Sequence, residues 1–593
     1  MHKTCKMIAL SLVLLLLTGC GTTVSEPTVR TTERVDSTQE TAVSTVIDTD
    51  DMFSDRDYET DYDESKCQRI TLGGKTVHIQ EEGTYILSGT LEDGQIVING
   101  ENTHKIQLIL DGVNIRSSNS AAIFVQQADK VFITTAKGAQ NTLTSDAFEE
   151  SEYNIDAVIF SKDDLTLNGE GRLTIVSPSG HGVVSKDDLV VTGGSYTVTA
   201  SGHGFAGKDS VRVAGGTFSV TAGKDGFHAE NNDDTTLGFG YFAGGSFAIT
   251  AEGDGISASN SLLITGGDFT ITAGGGSENG TKASSGNYGG FPGGGFGGGH
   301  GGGRPGGDPF GGKDNTGTTQ TDENSTSMKG IKAAGDLTVQ GGTFTIDAAD
   351  DGVHSNANIT VTNGTFHIAT GDDGFHAEEK LTVTSGKITI TESYEGLEGH
   401  HIAVSGGEIN LIASDDGLNA AGGVDSSGMG GRDQMFGGGK GGPGGMGGMG
   451  RGDGSIVISG GTVYIQASGD GIDANGTLEI TGGSTTVCGP TQGDTATLDY
   501  DVSATISGGT FIGTGGSGMA QSFSDSGQGI IALRVGNCKA NTQITLSDAN
   551  GKTVISYAPK LDFAVVILSA PEIIKGETYT ITVGDQSGTF QAS

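Results

Sequence analysis

The sequence predicts an all-β protein, built mainly as a single-stranded parallel β-helix with about 22 residues per coil. Three observations lead to this prediction. Glycine-containing pairs recur mostly 21 or 22 residues apart, a second glycine series runs in phase with them, and each unit contains three short segments of alternating apolar and polar residues. The unit is too short for a β-propeller blade, and a period of two residues does not fit helical repeats.

The second glycine series indicates which side chains face the interior. Its members are Gly182, Gly204, Gly226, Gly255, Gly330, Gly352, Gly374, Gly396, Gly417 and Gly471. The residue directly after each glycine is apolar and the third residue after it is small, as in Val353 and Ser355, so both should point inward. The residue between them is mostly polar and should point outward. This outward column contains His228, Ser257, Lys332, His354, His376, Glu398, Asn419 and Asp473.

The repeat predicts a body over residues 67–517 with two interruptions. Glycine-rich inserts occupy residues 274–327 and 422–454. Their composition is typical of flexible linkers, while their aromatic residues leave open the alternative of a lid over a ligand. The period is lost from about residue 518, and residues 518–593 should form a β cap over the open end of the last coil.

The N-terminus has the features of a bacterial lipoprotein signal peptide. Residues 1–20 combine a positively charged start, an apolar run and the ending Leu17-Thr18-Gly19-Cys20, which resembles a lipobox with Cys20 as the lipidated residue. We therefore expect an exported protein, attached to the cell membrane through its lipid alone and facing outside. Residues 21–66 are rich in Thr, Ser, Asp and Glu and are predicted to be a disordered acidic tether.

Charge and cysteine content exclude several classes of protein. The chain has 33 basic and 72 acidic residues, a net charge of −39, so nucleic acid is not expected as a partner. Apart from Cys5 and Cys20, the cysteines are Cys67, Cys488 and Cys538. This odd number argues against a disulfide framework, although a bridge between Cys488 and Cys538 stays open.

Acidic residues precede the glycines of the second series and are candidate calcium ligands. They are Asp225, Asp254, Asp350, Asp351, Asp372, Asp373, Asp415, Asp416 and Asp470, with Glu395 in the same column. Carboxylates stacked about 4.8 Å apart repel one another, but this spacing is about twice a Ca²⁺–oxygen distance of about 2.3–2.6 Å. An ion between two coils could therefore bind a carboxylate from each. The alternative is that Asp-Gly forms turns in which the aspartate bonds to its own backbone.

Several histidines could carry chemistry, but no catalytic residue is assigned. His228, His354 and His376 share the outward column, where they could be general bases, bind a transition metal or line a solvated face. His181 and His203 lie in Gly-His-Gly sequences that match one element of pectin-cleaving β-helix enzymes, but no Arg-x-Lys sequence follows them. They occupy repeat positions that elsewhere read Asp-Gly, which favours a structural role.

The repeat Gly-Gly-x-Phe-x-Ile-x-Ala-x-Asp-Asp-Gly-Phe-His-Ala, clearest in residues 341–355 and 363–377, resembles the bacterial carbohydrate-binding domain-containing family. The resemblance implies an exported, right-handed parallel β-helix, similar in fold to pectate lyases, that binds calcium, cellulose and acidic sugars such as polygalacturonate. It also implies that the Asp-Asp-Gly columns bind the calcium. Contacts with the polysaccharide are expected from the outward residues His354, His376, Glu398 and Asn419.

These features predict a monomeric cell-surface lipoprotein that binds a plant or cell-wall polysaccharide without cleaving it. A protein of charge −39 should repel a polyuronate, so acidic-glycan binding would require bridging calcium ions. The sequence contains no tryptophan, so cellulose would have to stack on Tyr or Phe. Two alternatives stay open: a surface adhesin or scaffold with protein partners, and a weak polysaccharide lyase.

Overall fold

The computed structural model describes residues 30–31, 45–282, 327–420, 452–491, 493 and 495–593. Within these residues the protein is all-β, as the sequence predicts, and its helices are three single 3₁₀ turns at Asp55–Tyr58, Glu64–Lys66 and Ser277–Asn279. No helix in the described ranges has the length and apolar character needed to cross a membrane. The predicted signal peptide and Cys20 lie outside the described residues.

The strands are numbered in chain order. The first part of the chain contains β1 (Arg30–Thr31), β2 (Thr45–Val46), β3 (Gln68–Leu72), β4 (Val77–Ile79), β5 (Gly83–Leu91), β6 (Ile96–Asn99), β7 (Lys105–Ser117), β8 (Ile123–Gln127), β9 (Lys130–Thr135), β10 (Gln140–Ser145), β11 (Ala157–Ser161), β12 (Asp164–Gly169), β13 (Arg172–Ser177), β14 (His181–Ser185), β15 (Asp188–Val191), β16 (Ser195–Ala200) and β17 (Phe205–Gly207). The middle part contains β18 (Ser210–Val213), β19 (Thr217–Ala222), β20 (Phe227–Ala229), β21 (Phe239–Phe242), β22 (Ser246–Ala251), β23 (Ile256–Ala258), β24 (Leu262–Ile264), β25 (Asp268–Ala273), β26 (Ile331–Ala333), β27 (Leu337–Val339), β28 (Thr343–Ala348), β29 (Val353–Ser355), β30 (Asn358–Val361), β31 (Thr365–Thr370), β32 (Phe375–Val383), β33 (Lys387–Glu392) and β34 (Leu397–Val404). The last part contains β35 (Glu408–Ala413), β36 (Leu418–Ala420), β37 (Gly454–Ile458), β38 (Thr462–Ala467), β39 (Ile472–Ala474), β40 (Gly476–Ile480), β41 (Ser484–Cys488), β42 (Asp499–Tyr500), β43 (Ser503–Ile506), β44 (Thr510–Gly515), β45 (Asp525–Ser526), β46 (Ile530–Cys538), β47 (Ile544–Ser547), β48 (Thr553–Tyr557), β49 (Phe563–Ser569), β50 (Thr578–Val583) and β51 (Gln586–Gln591).

One large sheet of 45 strands, most of them parallel, organises the chain. From β7 to β29, every strand pairs in parallel with the strand three places later. The pairing is in register, so that Tyr196 of β16 lies beside Phe218 of β19, and Phe218 lies beside Phe247 of β22. Three strands therefore complete one coil, and each coil stacks on the one before it.

The core consists of like side chains stacked on like. The residues after the second glycine series are buried, and so are the small residues two places further on, as predicted. The rings of Tyr196, Phe218 and Phe247 stack with centroids 5.3 and 4.8 Å apart, and the stack continues through Phe269 and Phe344. This spacing matches the distance of about 4.8 Å between neighbouring strands, so the coil geometry itself brings the aromatic rings into contact.

The two glycine series have different physical causes. In the first series the second residue of each pair is a glycine with positive φ, as at Gly194 with φ of 107°, where an L side chain would be strained. In the second series the space is closed: a Cβ on Gly226 would lie 2.5 Å from the Ile249 side chain and 2.6 Å from the Gly255 carbonyl oxygen. The first series therefore makes a turn possible, and the second lets neighbouring coils approach.

The segment from residue 518 differs from the coils. The coil strand β44 pairs antiparallel with β49, which also pairs antiparallel with β46. A separate four-stranded antiparallel sheet has the order β48-β47-β50-β51. Its buried apolar residues, such as Leu546 and Ile581, form a second core with Val566 and Leu568 of β49. The edge of β44 is thus covered by strands of the C-terminal segment.

Part of the predicted tether is ordered, which corrects the sequence interpretation for residues 47–66. Ile47 and Met52 are buried against Phe239, Tyr241 and Leu263. Further along the segment, Asp57 is also buried; it pairs with Lys130 and accepts a hydrogen bond from Thr166. The polar composition of the segment concealed these few apolar residues, which bury enough surface against the coils to hold it in place. Residues 21–29 and 32–44 lie outside the described residues.

Buried polar contacts also hold this N-terminal segment. The Asp57 carboxylate lies 2.9 Å from Lys130 Nζ and accepts a hydrogen bond of 2.6 Å from the Thr166 hydroxyl. Arg212 Nη1 donates to the Met52 carbonyl oxygen at 2.9 Å. These partners come from several coils, so the segment runs along the outside of the stack and not out into solvent.

Of the two inserts, the structure describes only residues 274–282, 327 and 452–454, and the proposed lid residues lie outside the described ranges.

Cys67, Cys488 and Cys538 are all free, so the possible bridge between Cys488 and Cys538 is not formed. The Cys488 sulfur instead lies 2.8 Å from the Tyr557 hydroxyl.

Candidate functional site

The aspartates before the second glycine series form a column of hydrogen bonds between coils. Asp225 Oδ1 accepts from the Asp254 backbone N–H at 2.9 Å, and Asp254 Oδ1 accepts from the Lys329 N–H at 2.8 Å. Asp351 Oδ1 bonds in the same way to Asp373 N–H at 3.1 Å, and the pattern continues through Asp373, Asp416 and Asp470. Each aspartate thus bonds to the next coil instead of to its own turn, and this leaves its Oδ2 atom available for other partners.

Two histidines occupy the same column and also accept hydrogen bonds from the backbone of the next coil. His181 Nδ1 accepts from the His203 backbone N–H at 2.8 Å, and His203 Nδ1 accepts from the Asp225 N–H at 3.1 Å. Burial, more than any other cause, lowers the pKa of His203 to about 3, which keeps its ring neutral and able to accept. The Gly-His-Gly sequences therefore belong to the structural repeat.

In the middle coils, two lysines already neutralise the stacked carboxylates. Lys329 Nζ lies 2.7 Å from Asp351 Oδ2 and 3.1 Å from Asp350 Oδ2. Lys282 Nζ lies 2.5 Å from Asp372 Oδ1. Burial raises the pKa of Asp351, but Lys329 and neighbouring histidines outweigh it and hold the pKa well below its ordinary value. Lys282 lies in the first insert, whereas Lys329 takes the repeat position before Gly330 that other coils give to an acid. Neither lysine has a role predicted from the sequence.

These ion pairs decide which predicted calcium ligands fit the ion. Asp350, Asp351 and Asp372 bring oxygens within 4.8 Å of one another, as predicted. However, the ammonium groups of Lys282 and Lys329 already bind these carboxylates, so this group does not fit calcium well. The calcium site between these coils stays a prediction, at a place where the structure has a pair of internal salt bridges.

A second acidic group fits calcium better. Asp416, Asp470 and Asp473 place carboxylate oxygens within 4.8 Å of one another. Burial, together with the carboxylates of Asp470 and Asp415, raises the pKa of Asp416 to about 8, and burial and Asp470 raise that of Asp473 to about 7. Among the described residues, the neighbouring charges that raise these two pKa values are carboxylates. A set of three oxygen donors under mutual repulsion suits a hard divalent cation.

The remaining predicted ligands lie elsewhere. Asp225 lies with His203 and His228, in a group that mixes nitrogen and oxygen donors. Among the described residues, Asp254 and Asp415 belong to none of the groups that could hold a metal, although Asp415 is next to Asp416. Asp473 was expected only as an outward polar residue. The sequence signal that could have found it is an acid in the outward column two places after Gly471, beside the acidic column.

The outward column is less exposed than predicted. The side chains of His354 and Glu398 are 2% and 4% exposed, and Asn419 is buried as well. Asn419 Nδ2 donates to Glu395 Oε2 at 2.8 Å, and His354 bonds on both sides. Asn419 and His354 thus bond to acidic residues of the neighbouring column, Glu395 and Asp351, and do not point into solvent. His354, Glu398 and Asn419 therefore cannot contact a polysaccharide as they stand, which corrects that prediction.

His376 is the most exposed of the four predicted sugar contacts. Its side chain is 14% exposed, and its Nδ1 atom lies 3.4 Å from Asp373 Oδ2 and 3.4 Å from Glu398 Oε2. Burial lowers the pKa of His376, but hydrogen bonding to Asp373 and the carboxylates around it outweigh burial and raise the pKa above its ordinary value. His376 thus lies at the centre of a buried acidic environment.

Comparison with known proteins identifies similar sequences. The family model described as carbohydrate-binding domain-containing protein matches residues 73–374. A protein of the same description from Acetivibrio thermocellus is 39% identical over 135 residues, which are 22% of this chain and 47% of the relative. The chain thus matches about half the length of that relative. A solved structure, described as a polysaccharide lyase-like protein from C. thermocellum in a gadolinium derivative, is 34% identical with a TM-score of 0.34, and the match covers 35% of this chain and 91% of the other.

Proposed function

Because the chain belongs to the carbohydrate-binding domain-containing protein family, we propose that it is a cell-surface lipoprotein that binds a polysaccharide without cleaving it. The ligand is an acidic glycan such as polygalacturonate, or cellulose. The signal-like residues 1–20 support export and a lipid anchor at Cys20. In this proposal the stack of coils is the right-handed parallel β-helix predicted from the sequence, an assignment supported by the parallel pairing of each strand with the strand three places later.

Calcium bound by Asp416, Asp470 and Asp473 would give the protein its means of holding an acidic glycan. The three carboxylate oxygens lie within 4.8 Å of one another, and this is the observation that carries the calcium proposal. The protein carries a net charge of −39, so a uronate can approach only where a cation offsets that charge. A Ca²⁺ ion accepts six to eight oxygen ligands, which leaves positions for a carboxylate of the sugar beside those of the protein.

The proposal is tested by pull-down on insoluble polygalacturonate and on cellulose, with calcium and then with a chelator, and with an assay of the supernatant for released sugar. We expect retention that is lost on chelation and no release of sugar. Asp473→Asn should reduce calcium-dependent retention, since it removes one anionic ligand. Asp268→Asn is the matched control, because Asp268 is an exposed aspartate on the same stack.

Each other outcome points to a different function. Retention that persists after chelation, or an unchanged Asp473→Asn variant, would contradict the calcium mechanism. No retention on either glycan would favour an adhesin with protein partners. Unsaturated uronides in the supernatant, measured by ultraviolet absorbance, would make the protein a polysaccharide lyase.

A further inference from the structure

Strand β51 forms one outer edge of the four-stranded C-terminal sheet. Among the described residues it pairs with β50 alone, in six consecutive antiparallel pairs without a register shift. Just after β51, the Ala592 N–H donates to the Glu577 carbonyl oxygen on the β50 side. Because N–H groups alternate in direction along a strand, those of Ser587, Thr589 and Gln591 point away from β50. The edge therefore presents backbone hydrogen-bonding groups to its outer side.

The side chains of β51 do not protect this edge. The strand reads Gln-Ser-Gly-Thr-Phe-Gln from Gln586 to Gln591, and all of its residues except Gly588 are exposed. None of them is charged, in a chain whose net charge is −39. Natural proteins protect sheet edges against unwanted pairing with charged residues, proline, bulges or very short strands. Strand β51 has none of these features.

Other outer strands of the described chain do have such protection. Strand β46 contains Arg534 and has a register shift in its pairing with β49. Strand β48 follows Lys552 and has a register shift in its pairing with β47. At the opposite end of the stack, β3 contains the exposed Arg69 and β4 is only three residues long. The unprotected edge of β51 thus differs from these edges of the same molecule.

Phe590 adds an apolar surface to this edge. It lies opposite Tyr579, on the side of the sheet that packs against the second core, yet it is 38% exposed, whereas Tyr579 is 4% exposed. A Cβ on Gly588 would lie 2.8 Å from Phe590 Cε2, so the ring lies across Gly588. A further strand beside β51 would cover this ring and bury apolar surface.

We propose that β51 pairs antiparallel with β51 of a second copy of this chain, so that two four-stranded sheets become one sheet of eight strands. A second copy supplies an edge of the same length and composition, and the two strands place no charged residues opposite each other. This absence of charge matters because two chains that each carry −39 repel each other where their acidic surfaces approach. The pairing is isologous and therefore closes at two copies.

The dimer should be weak. One pair of six-residue strands is too small to bury the roughly 1,200–2,000 Å² typical of stable interfaces, so the dimer should form only at high protein concentration. It would replace the monomer expected from the sequence. It does not depend on the proposed polysaccharide binding.

Analytical ultracentrifugation of the purified chain, from about 5 μM to about 500 μM, tests the proposal. We expect the wild type to shift from monomer to dimer as its concentration rises. Hydrogen exchange in residues 586–591 should become slower as the dimer forms, because the outward N–H groups gain partners. Thr589→Lys should weaken the dimer by about tenfold, since it puts a positive charge on each of the two paired strands.

Thr221→Lys is the matched control, because Thr221 is an exposed strand threonine on the stack of coils and the substitution changes the net charge equally. Thr589→Pro is a second edge variant, which removes an outward N–H and leaves the pairing with β50 in place. Circular dichroism checks that each variant is folded. A wild type that stays monomeric at every concentration overturns the proposal. It is also overturned by a dimer that persists in both edge variants, by equal weakening in Thr221→Lys, or by a dimer that forms without slower exchange in residues 586–591.

Discussion

At the scale of single residues, compensation of charge is the main constraint on this stack of coils. Lys329 occupies the column position that aspartate takes in neighbouring coils, and its side chain is 1% exposed. Its ammonium group pairs with Asp350 and Asp351, of which Asp351 is fully buried. A repeat that stacks carboxylates in register therefore tolerates them where an internal cation, a histidine or a backbone N–H offsets each charge.

Replacing Lys329 with methionine should test this compensation. The substitution keeps a long side chain but leaves Asp351 buried without its main cation, so we expect a loss of about 3–5 kcal/mol in the free energy of unfolding. Urea denaturation at neutral pH measures it. Lys380→Met, which alters an exposed lysine of β32, should cost less than about 1 kcal/mol. Equal losses in the two variants would show that the ion pairs of Lys329 add no more to the free energy of unfolding than an exposed lysine does.

At the scale of the elements, the distance between coils depends on glycine. Each glycine of the second series precedes an inward apolar residue, and its missing side chain leaves room for the carbonyl group of the next coil. The neighbouring aspartate bonds to the backbone N–H of that next coil. Close approach and hydrogen bonding thus depend on the same pair of residues, which explains why the Asp-Gly sequence recurs.

Gly226→Ala should disturb two neighbouring coils. Its Cβ would lie 2.5 Å from the Ile249 side chain and 2.6 Å from the Gly255 carbonyl oxygen, so the coils must move apart. We expect a loss of about 1–3 kcal/mol, the usual cost of overpacking a closed site. Thermal unfolding compares this variant with Gly73→Ala, where a Cβ would meet nothing within 4 Å. If the two variants unfold at the same temperature, close approach between coils is not the reason for this glycine.

At the scale of the whole molecule, the chain before the first coil belongs to the folded body. Ile47 and Met52 cover Phe239, Tyr241 and Leu263, while Asp57 pairs with Lys130 of a much earlier coil. The segment therefore links coils that are far apart along the stack. If the protein is anchored through a lipid as proposed, its tether would join the stack of coils beside β21 and β24 and not at the first coil.

A chain that starts at residue 67 should consequently be less stable than one that starts at residue 45. Removal of the segment exposes the apolar surface around Phe239 and Tyr241 and leaves Lys130 without Asp57. Full burial of one large apolar side chain is worth about 1.5–3 kcal/mol, so we expect a lower melting temperature and faster hydrogen exchange in β21 and β24. Equal exchange in both chains would mean that the segment does not stabilise the coils.

Much of the architecture could be predicted because it depends on a short, regular repeat of residue types. Inward apolar residues such as Phe227 and Phe375 recur at a fixed distance from a glycine, and in-register stacking follows from that repeat alone. The candidate calcium column was found in the same way. Two groups of its members lie close together in the structure. Asp416 and Asp470 form one, and Asp350, Asp351 and Asp372 form the other, which differs in that its carboxylates bind lysines.

The strands, their register and the column of acids follow from the amino-acid sequence alone, since each of these depends on neighbours within about one repeat unit. Which charges meet depends on the tertiary structure: Lys282 of the first insert and Lys329 of the acidic column bind carboxylates of neighbouring coils, and His376 lies farther from Asp373 than His354 lies from Asp351. The physical reason is that electrostatic pairing in a buried site depends on separation and burial, and neither is encoded by a repeat of residue types.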